Sequence, residues 1–273
     1  MLKIISDSFK ITNKFLVLAT PLIFFSLLSS LYLIFSGNNG IISSIITFVL
    51  FFLMLSAFLS GWLYMVAKAV KNPDSENADA LIMDFPAGVG EYFLIIPCVI
   101  INICIVSIIL TVIACILGVK FIGNPNVSYE QIYNAMTTIT AMKEFAASLT
   151  HEQLVKIEAW NLLLFGTTTV ISFINMFYSP AVLFKKKNPF VAYWVCFRDL
   201  FSYRFLNNVV LFLFIIVIHT IISMFAMFLS TNVILYFIFT LIKFYFVTYI
   251  AVLVFNYYYS NFVKIGSKVD KMV

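Results

Sequence analysis

Two ionisable side chains lie deep inside apolar runs of this 273-residue chain, His219 and Lys243. The polar turn between those runs centres on Thr231, with His219 twelve residues before it and Lys243 twelve after. On an antiparallel helical hairpin, equal distance from the turn means equal height, here ~18 Å at ~1.5 Å per residue. In a hydrocarbon core ~30 Å thick, that is close to the midplane. Asn102, about nine residues into its own apolar run, and Asn175, about ten residues before Lys185, arrive at similar depth by the same helical rise. Lys243, His219, Asn102 and Asn175 are therefore expected to share one polar layer and to form a substrate-binding site. No carboxylate lies deep enough to neutralise Lys243, so its counter-ion would be a lipid phosphate or an anionic substrate. The structural alternative is a snorkelling lysine with asparagines and a neutral histidine bonding neighbouring helices.

Other chemistry is sparse. The sequence has no GxxxxGK[ST] phosphate loop, HExxH or GxSxG motif. With only two histidines a multi-histidine metal site is excluded, and His151-Glu152 suits a helix start, where the dipole favours Glu152. Cys98, Cys104, Cys115 and Cys196 show neither CxxC nor Cys/His spacing and read as small hydrophobes. No catalytic residues, metal or cofactor are assigned. An intramembrane aspartyl protease needs paired aspartates within its spans, and a carboxylate-coupled transporter needs at least one. The acidic residues sit elsewhere, in the connections: Asp7, Asp74, Glu76, Asp79, Asp84, Glu91, Asp199 and Asp270 on one side, Glu130, Glu144, Glu152 and Glu158 on the other.

Positioning these residues falls to elements that composition already constrains. The chain is 63% hydrophobic and 11% charged, with 31 phenylalanines, against about 25% charged residues in a soluble domain. Its mean hydropathy is +1.05. Six apolar segments, about 15–35, 41–67, 93–119, 160–184, 207–229 and 233–255, are each long enough to cross a bilayer. Continuous apolar runs of this length are helical. The expectation is an all-α polytopic bundle of six transmembrane helices forming one integral membrane domain over 1–273. The first segment is read as a retained span and not as a removed signal peptide, for want of a small-x-small cleavage site.

The connections sort by charge. Ser36 to Gly40 and Ser230 to Asn232 carry none. Lys3, Lys10, Lys14, Lys68, Lys71, Lys185, Lys186, Lys187, Arg198, Arg204, Lys264, Lys268 and Lys271 lie together on one side, 13 of the 17 basic residues. Lys120, Lys143 and Lys156 lie on the other. The positive-inside rule makes the richer side cytoplasmic, with both termini there. The net charge of +5 is thus a matter of topology, and no nucleic-acid partner is inferred from it. On the outer side, Ser128 with Gln131 and Thr150 with Gln153 match capping boxes. Between them Ile132, Met136, Ile139, Met142, Phe145 and Leu149 recur at helical spacing, predicting an outer amphipathic helix over about 128–149. On the basic side, Ile5 to Phe15, Ala80 to Tyr92 (interrupted by Pro86, Gly88 and Gly90) and Phe190 to Phe205 read as interfacial helices. The plan is three helical hairpins, each introduced by such a segment.

Gly61-Trp62-Leu63-Tyr64, then Asp84-Phe85 with Gly88, Tyr92-Phe93 before Pro97, Tyr178-Ser179-Pro180 and Lys185 to Phe190 follow in order along the chain. This order resembles uncharacterised bacterial six-helix integral membrane proteins, and is similar to the membrane domain fused to some glycerophosphodiester phosphodiesterases. The resemblance implies architecture and no catalytic residues; the soluble phosphodiesterase part is absent. The outer stretch around 124–155 departs from the compact versions of that pattern.

The function expected is that of a non-enzymatic integral membrane protein of the bacterial cytoplasmic membrane. It would bind or help translocate a lipid-like or small anionic molecule, as an accessory subunit of a larger assembly or alone. Membrane lipids and an unidentified protein would be its partners. The alternatives are a scaffold recruiting partners through interfacial aromatic helices, and a membrane enzyme of unknown type. On a cysteine-free background, single cysteines at positions 38 and 232 should react with impermeant thiol reagents from outside the cell, and one at position 186 should not. The opposite pattern would reverse the topology.

Overall fold

The computed structural model describes residues 1–35, 40–75, 78–135, 137–229 and 232–264. The turn residues 36–39 and Thr231, Glu76, Met136, Lys268, Asp270 and Lys271, and the side chains of Asp79, Ile132 and Ile139, lie outside the described residues. Among those described, the secondary structure is entirely helical. In chain order come α1 (Leu2–Lys14), a 3-10 turn (Leu16–Ala19), α2 (Thr20–Phe35), α3 (Gly40–Lys71), α4 (Ala78–Tyr92) and α5 (Ile95–Phe121). Then follow α6 (Tyr129–Ala135), α7 (Ile139–Ser148), α8 (His151–Asn175), α9 (Tyr178–Phe184), α10 (Pro189–Leu200), α11 (Phe205–Leu229), α12 (Val233–Tyr258) and a π turn (Tyr259–Val263).

Six helical runs are long and apolar enough to cross a membrane: Leu16–Ile34, Gly40–Lys71, Ile95–Phe121, His151–Phe184, Phe205–Ala226 and Ile234–Val263. The six-span, all-α architecture expected from composition is the one observed, and the chain is a multi-pass membrane protein. In sequence order α1, α4 and α10 each precede a pair of long helices. By its internal contacts the chain forms two compact units, one of Met1–Asn102 with Ile174–Val273 and one of Ile103–Phe173.

The larger unit is built on the second half of α12. Thr248, Tyr249, Val252, Leu253, Phe255, Asn256, Tyr257 and Tyr258 are all buried there, on every side of the helix. Nearer its start α12 is covered far less, with Ile234, Leu235, Phe237, Leu241 and Ile242 exposed. Such exposure suits a lipid solvent, because hydrocarbon gives apolar side chains no reason to cluster.

Two glycines set the approach of α4 to α3. A Cβ built on Gly61 would stand 2.7 Å from the Phe85 ring. One on Gly88 would stand 2.5 Å from Tyr64 Cβ and 2.9 Å from the Ser60 carbonyl oxygen. These residues appear in the sequence only as glycine and aromatic landmarks; in the fold they are facing halves of one contact. Pro86 does not interrupt α4 as the sequence predicts, although it lacks the N–H that would bond back to Ile82. Packing against α3 carries the helix through.

In the smaller unit both capping boxes form. Gln131 N donates to Ser128 Oγ at 3.2 Å and Ser128 N to Gln131 Oε1 at 2.9 Å. Gln153 N donates to Thr150 Oγ1 at 3.3 Å and Thr150 N to Gln153 Oε1 at 3.0 Å. The second box opens the spanning helix α8, which therefore begins at His151 and not near 160. The single outer helix expected over 128–149 is instead two, α6 and α7. Thr138 turns extended and its hydroxyl accepts from Ala141 N at 3.1 Å, starting a new helix. The competing side-chain cap wins over a continuous apolar stripe; along α7 Phe145 is half-buried and Met142 is 60% exposed. Trp160 Nε1 donates to Gly123 O at 2.9 Å, and Gly118 gives the Trp160 ring its room.

Within α4, Gly88→Ala should destabilise the protein by about 1–3 kcal/mol, as overpacking does. Gly90→Ala, with nothing within 4 Å of the new methyl, should be neutral or stabilising. Melting temperatures of the two variants in one detergent check this, and equal behaviour would contradict the assigned α3–α4 contact.

Candidate functional site

The polar chemistry of the larger unit concentrates around α9 and α10, and the sequence builds this corner locally. Asn188 caps α10, its Oδ1 accepting from Phe190 N at 3.0 Å and Val191 N at 3.3 Å, with Pro189 in the first turn. Ala192, Val195, Cys196, Asp199 and Leu200 recur at helical spacing and form its buried stripe. The aromatic residues of the same segment face the other way. Phe190, Trp194 and Phe201 are exposed, and Trp194, Phe197, Phe201 and Phe205 lie in ring contact one after another.

Asp199 is thus a carboxylate on an otherwise apolar stripe, 6% exposed. Lys185 Nζ meets its Oδ2 at 2.6 Å and Tyr258 donates to the same oxygen at 2.7 Å. Arg198 approaches Oδ1 at 3.5 Å. The Lys185 ammonium also lies over the rings of Tyr258 and Phe262. Just beyond, buried Asn208 donates to the Asp199 and Leu200 carbonyls at 3.3 and 2.8 Å, and Tyr257 donates to its Oδ1 at 2.8 Å. The last carbonyls of α10, which have no intrahelical partner, are satisfied this way. Phe177 packs its ring against Tyr257, Tyr258 and Phe262. Burial pushes the Cys196 thiol up to about 12, so it stays a neutral thiol near pH 7, donating to the Ile174 carbonyl at 3.4 Å. The Lys187 ammonium at 2.7 Å holds the Glu91 carboxyl below its ordinary value. That pair therefore contributes above the usual carboxylate range and is lost as pH falls through the lowered value.

The four residues expected to form a midplane layer have different surroundings. Asn102 donates to Tyr178 Oη at 3.0 Å, and Tyr178 donates to the Pro189 carbonyl at 3.1 Å, tying the start of α5 to the α9–α10 connection. Asn175 is half-buried at the end of α8. His219 and Lys243 both carry exposed side chains, so Lys243 does not turn into the chain's own bundle as expected. Equal distance from a turn fixes height on a hairpin but leaves rotation about each helix axis open. Uniformly apolar helices such as α11 and α12 give no stripe that would fix it.

Missed by the residue-type search is an apolar groove of about 450 Å³ between α2, α3 and α4. Thr20, Phe24 and Leu28 form one wall, Ala57 and Phe58 the second, and Phe85 the third. Phe25 stacks on Phe58 at 4.3 Å and Phe58 on Trp62 at 5.8 Å, and Trp62 Nε1 donates to the Leu18 carbonyl at 2.9 Å. The floor is therefore fixed by a buried hydrogen bond. Among the described residues, Thr20 brings the one side-chain hydroxyl to this wall. No motif announces it, because an apolar residue lining a groove is the same in sequence as one facing lipid. No three His, Cys, Asp or Glu residues cluster to hold a metal ion among the described residues.

Six apolar helices and a polar corner at one end define a polytopic α-helical membrane protein. No protein-family model, curated protein or solved structure matches the chain.

Removing one partner of a buried ion pair strands the other, at about 3–5 kcal/mol. Lys185→Met and Asp199→Leu should each lower the melting temperature markedly, and the double variant should lose less than the sum of the two. Additive losses would show that the two charges do not depend on each other.

Proposed function

We propose that this protein binds a lipid-like molecule, holding one acyl chain in the groove between α2, α3 and α4 and helping to move or present that lipid. The groove itself carries this reading: about 450 Å³ is within the ~300–1,000 Å³ of small-molecule sites, and its wall is apolar. Phe24 and Leu28 on its rim are 63% and 54% exposed on a membrane-spanning helix, so the medium outside is hydrocarbon. A chain already dissolved in that medium enters without crossing water. From Lys14, at the start of the first span, Thr20 to Leu28 lie ~9–21 Å along the chain at helical rise. With the basic side cytoplasmic by the positive-inside rule, the groove runs from the inner leaflet to just past the midplane of a bacterial cytoplasmic membrane whose core is ~30 Å thick. A second reading, a scaffold lying on the bilayer, draws on the exposed ring series of α10, which suits the headgroup layer.

A photoactivatable phosphatidylcholine, with the reactive group mid-chain, should label peptides spanning Thr20 to Leu28 and Ala57 to Met65. Ala57→Trp, which fills the groove, should cut that labelling by at least about tenfold while leaving folding intact. Labelling spread evenly over all six spans, or unchanged by Ala57→Trp, would overturn the proposal.

A further inference from the structure

A second cavity, about 510 Å³, lies where α1, the end of α3 and the end of α12 meet. It is separate from the apolar groove. Met65 faces the groove, whereas Val70 and Lys71, about 140° and 240° further round α3 at ~100° per residue, face this cleft. At 32 residues α3 is ~48 Å long, more than the ~30 Å hydrocarbon core, so its last turns can stand among headgroups. Lys10, Lys14, Lys71 and Lys264 line the cleft, together with Asp7 and Asp74. Four ammonium groups against two carboxylates leave two positive charges.

Lys10, Lys14 and Lys71 are not neutralised by the two carboxylates of the cleft. Among the described residues, neither Asp7 nor Asp74 forms an ion pair with Lys10, Lys14 or Lys71. Lys14 donates to the Pro73 carbonyl at 3.0 Å, and Lys71 lies over the Phe184 ring at 5.6 Å, contacts that aim the two side chains without neutralising them. The floor is polar and fixed. Asn256, 8% exposed, donates to Ser8 Oγ at 3.0 Å and accepts from Ser260 Oγ at 3.4 Å. Ser8 is fully buried and donates to the Ile4 carbonyl at 2.7 Å. A cation entering such a cavity meets four lysines.

We infer that this cleft binds a phosphate monoester, as a lipid headgroup or as a soluble ester. A monoester carries about −1.5 to −2 charges near pH 7 and three strong acceptor oxygens, matching two net positive charges presented by several lysines. The cavity has room for the group that bears the phosphate. Lysine, a flexible point charge with rotatable donors, suits phosphate held without bidentate geometry.

The test uses the full chain in nanodiscs. Phosphorus NMR follows phosphatidic acid diluted into phosphatidylcholine, and separately glycerol 3-phosphate added to phosphatidylcholine nanodiscs. The wild-type protein should broaden or shift the monoester resonance in at least one arm. A response to phosphatidic acid alone assigns a lipid headgroup, and a response to glycerol 3-phosphate assigns a soluble ester. Lys10→Gln with Lys71→Gln should weaken binding at least tenfold, and Asp74→Asn should strengthen it severalfold. The Asp74 variant keeps the test decisive if the lysine variant folds poorly, since damage does not tighten binding. No response in either arm, or affinity unmoved by Asp74→Asn, overturns the proposal. The Ala57→Trp groove variant should bind the monoester as the wild type does, so the two sites fail or stand separately.

Discussion

A carboxylate shut away from water demands donors, and Asp199 makes that demand where α9, α10 and α12 meet. Lys185 answers from the end of α9 and Tyr258 from α12, both on one oxygen. The neighbouring helices α9 and α10 and the sequence-distant α12 are thereby held in one arrangement, because only a narrow range of positions brings an ammonium and a phenol to the same atom. Asn208 and Tyr257 close the adjoining end of α10. Apolar burial between helices is a weak organiser where the solvent is itself hydrocarbon, so directional polar contacts and steric fit decide the packing. This explains why burial is dense around the second half of α12 and sparse toward its start.

Steric fit supplies the other half. Gly61 and Gly88 let α3 and α4 touch with aromatic side chains laid over backbone, and Gly118 does the same for Trp160 in the smaller unit. The α3–α4 contact forms one side of the apolar groove, since Phe85 both covers Gly61 and lines the cavity. The groove is in this sense a by-product of glycine packing: α4 is held against α3, while α2 stands off far enough to leave space. Its stacked rings and the Trp62 hydrogen bond keep that space from collapsing.

The two cavities differ in chemistry. One is apolar and bordered by lipid-facing residues; the other is cationic, floored by fixed amides and hydroxyls, beside the chain ends of α1 and α12. They lie on different sides of α3, so they are two separate cavities. Both are positioned by α3, whose length carries it from hydrocarbon into the headgroup region.

How much of this is legible from residues alone depends on the kind of constraint. Six spans follow from composition, because an apolar run of that length has one stable form in a bilayer. Both capping boxes are legible because a hydroxyl and a glutamine three residues apart interact locally. Rotation about a helix axis is not legible, so the surroundings of His219, Lys243, Asn102 and Asn175 come only from the fold: Lys243 is exposed and Asn102 belongs to a Tyr178–Pro189 bracket. Asp199 and Lys185 are visible as charges at a membrane edge, but their pairing depends on which face of α10 turns inward. The sequence by itself determined the number and order of the membrane-spanning helices and the two capping boxes, since those are set by hydrophobicity and neighbouring side chains. Which faces meet, and hence where the ion pair, the groove and the cationic cleft lie, was decided only by tertiary packing, because an almost uniformly apolar helix looks the same from every side until a partner's glycine or carboxylate breaks the symmetry.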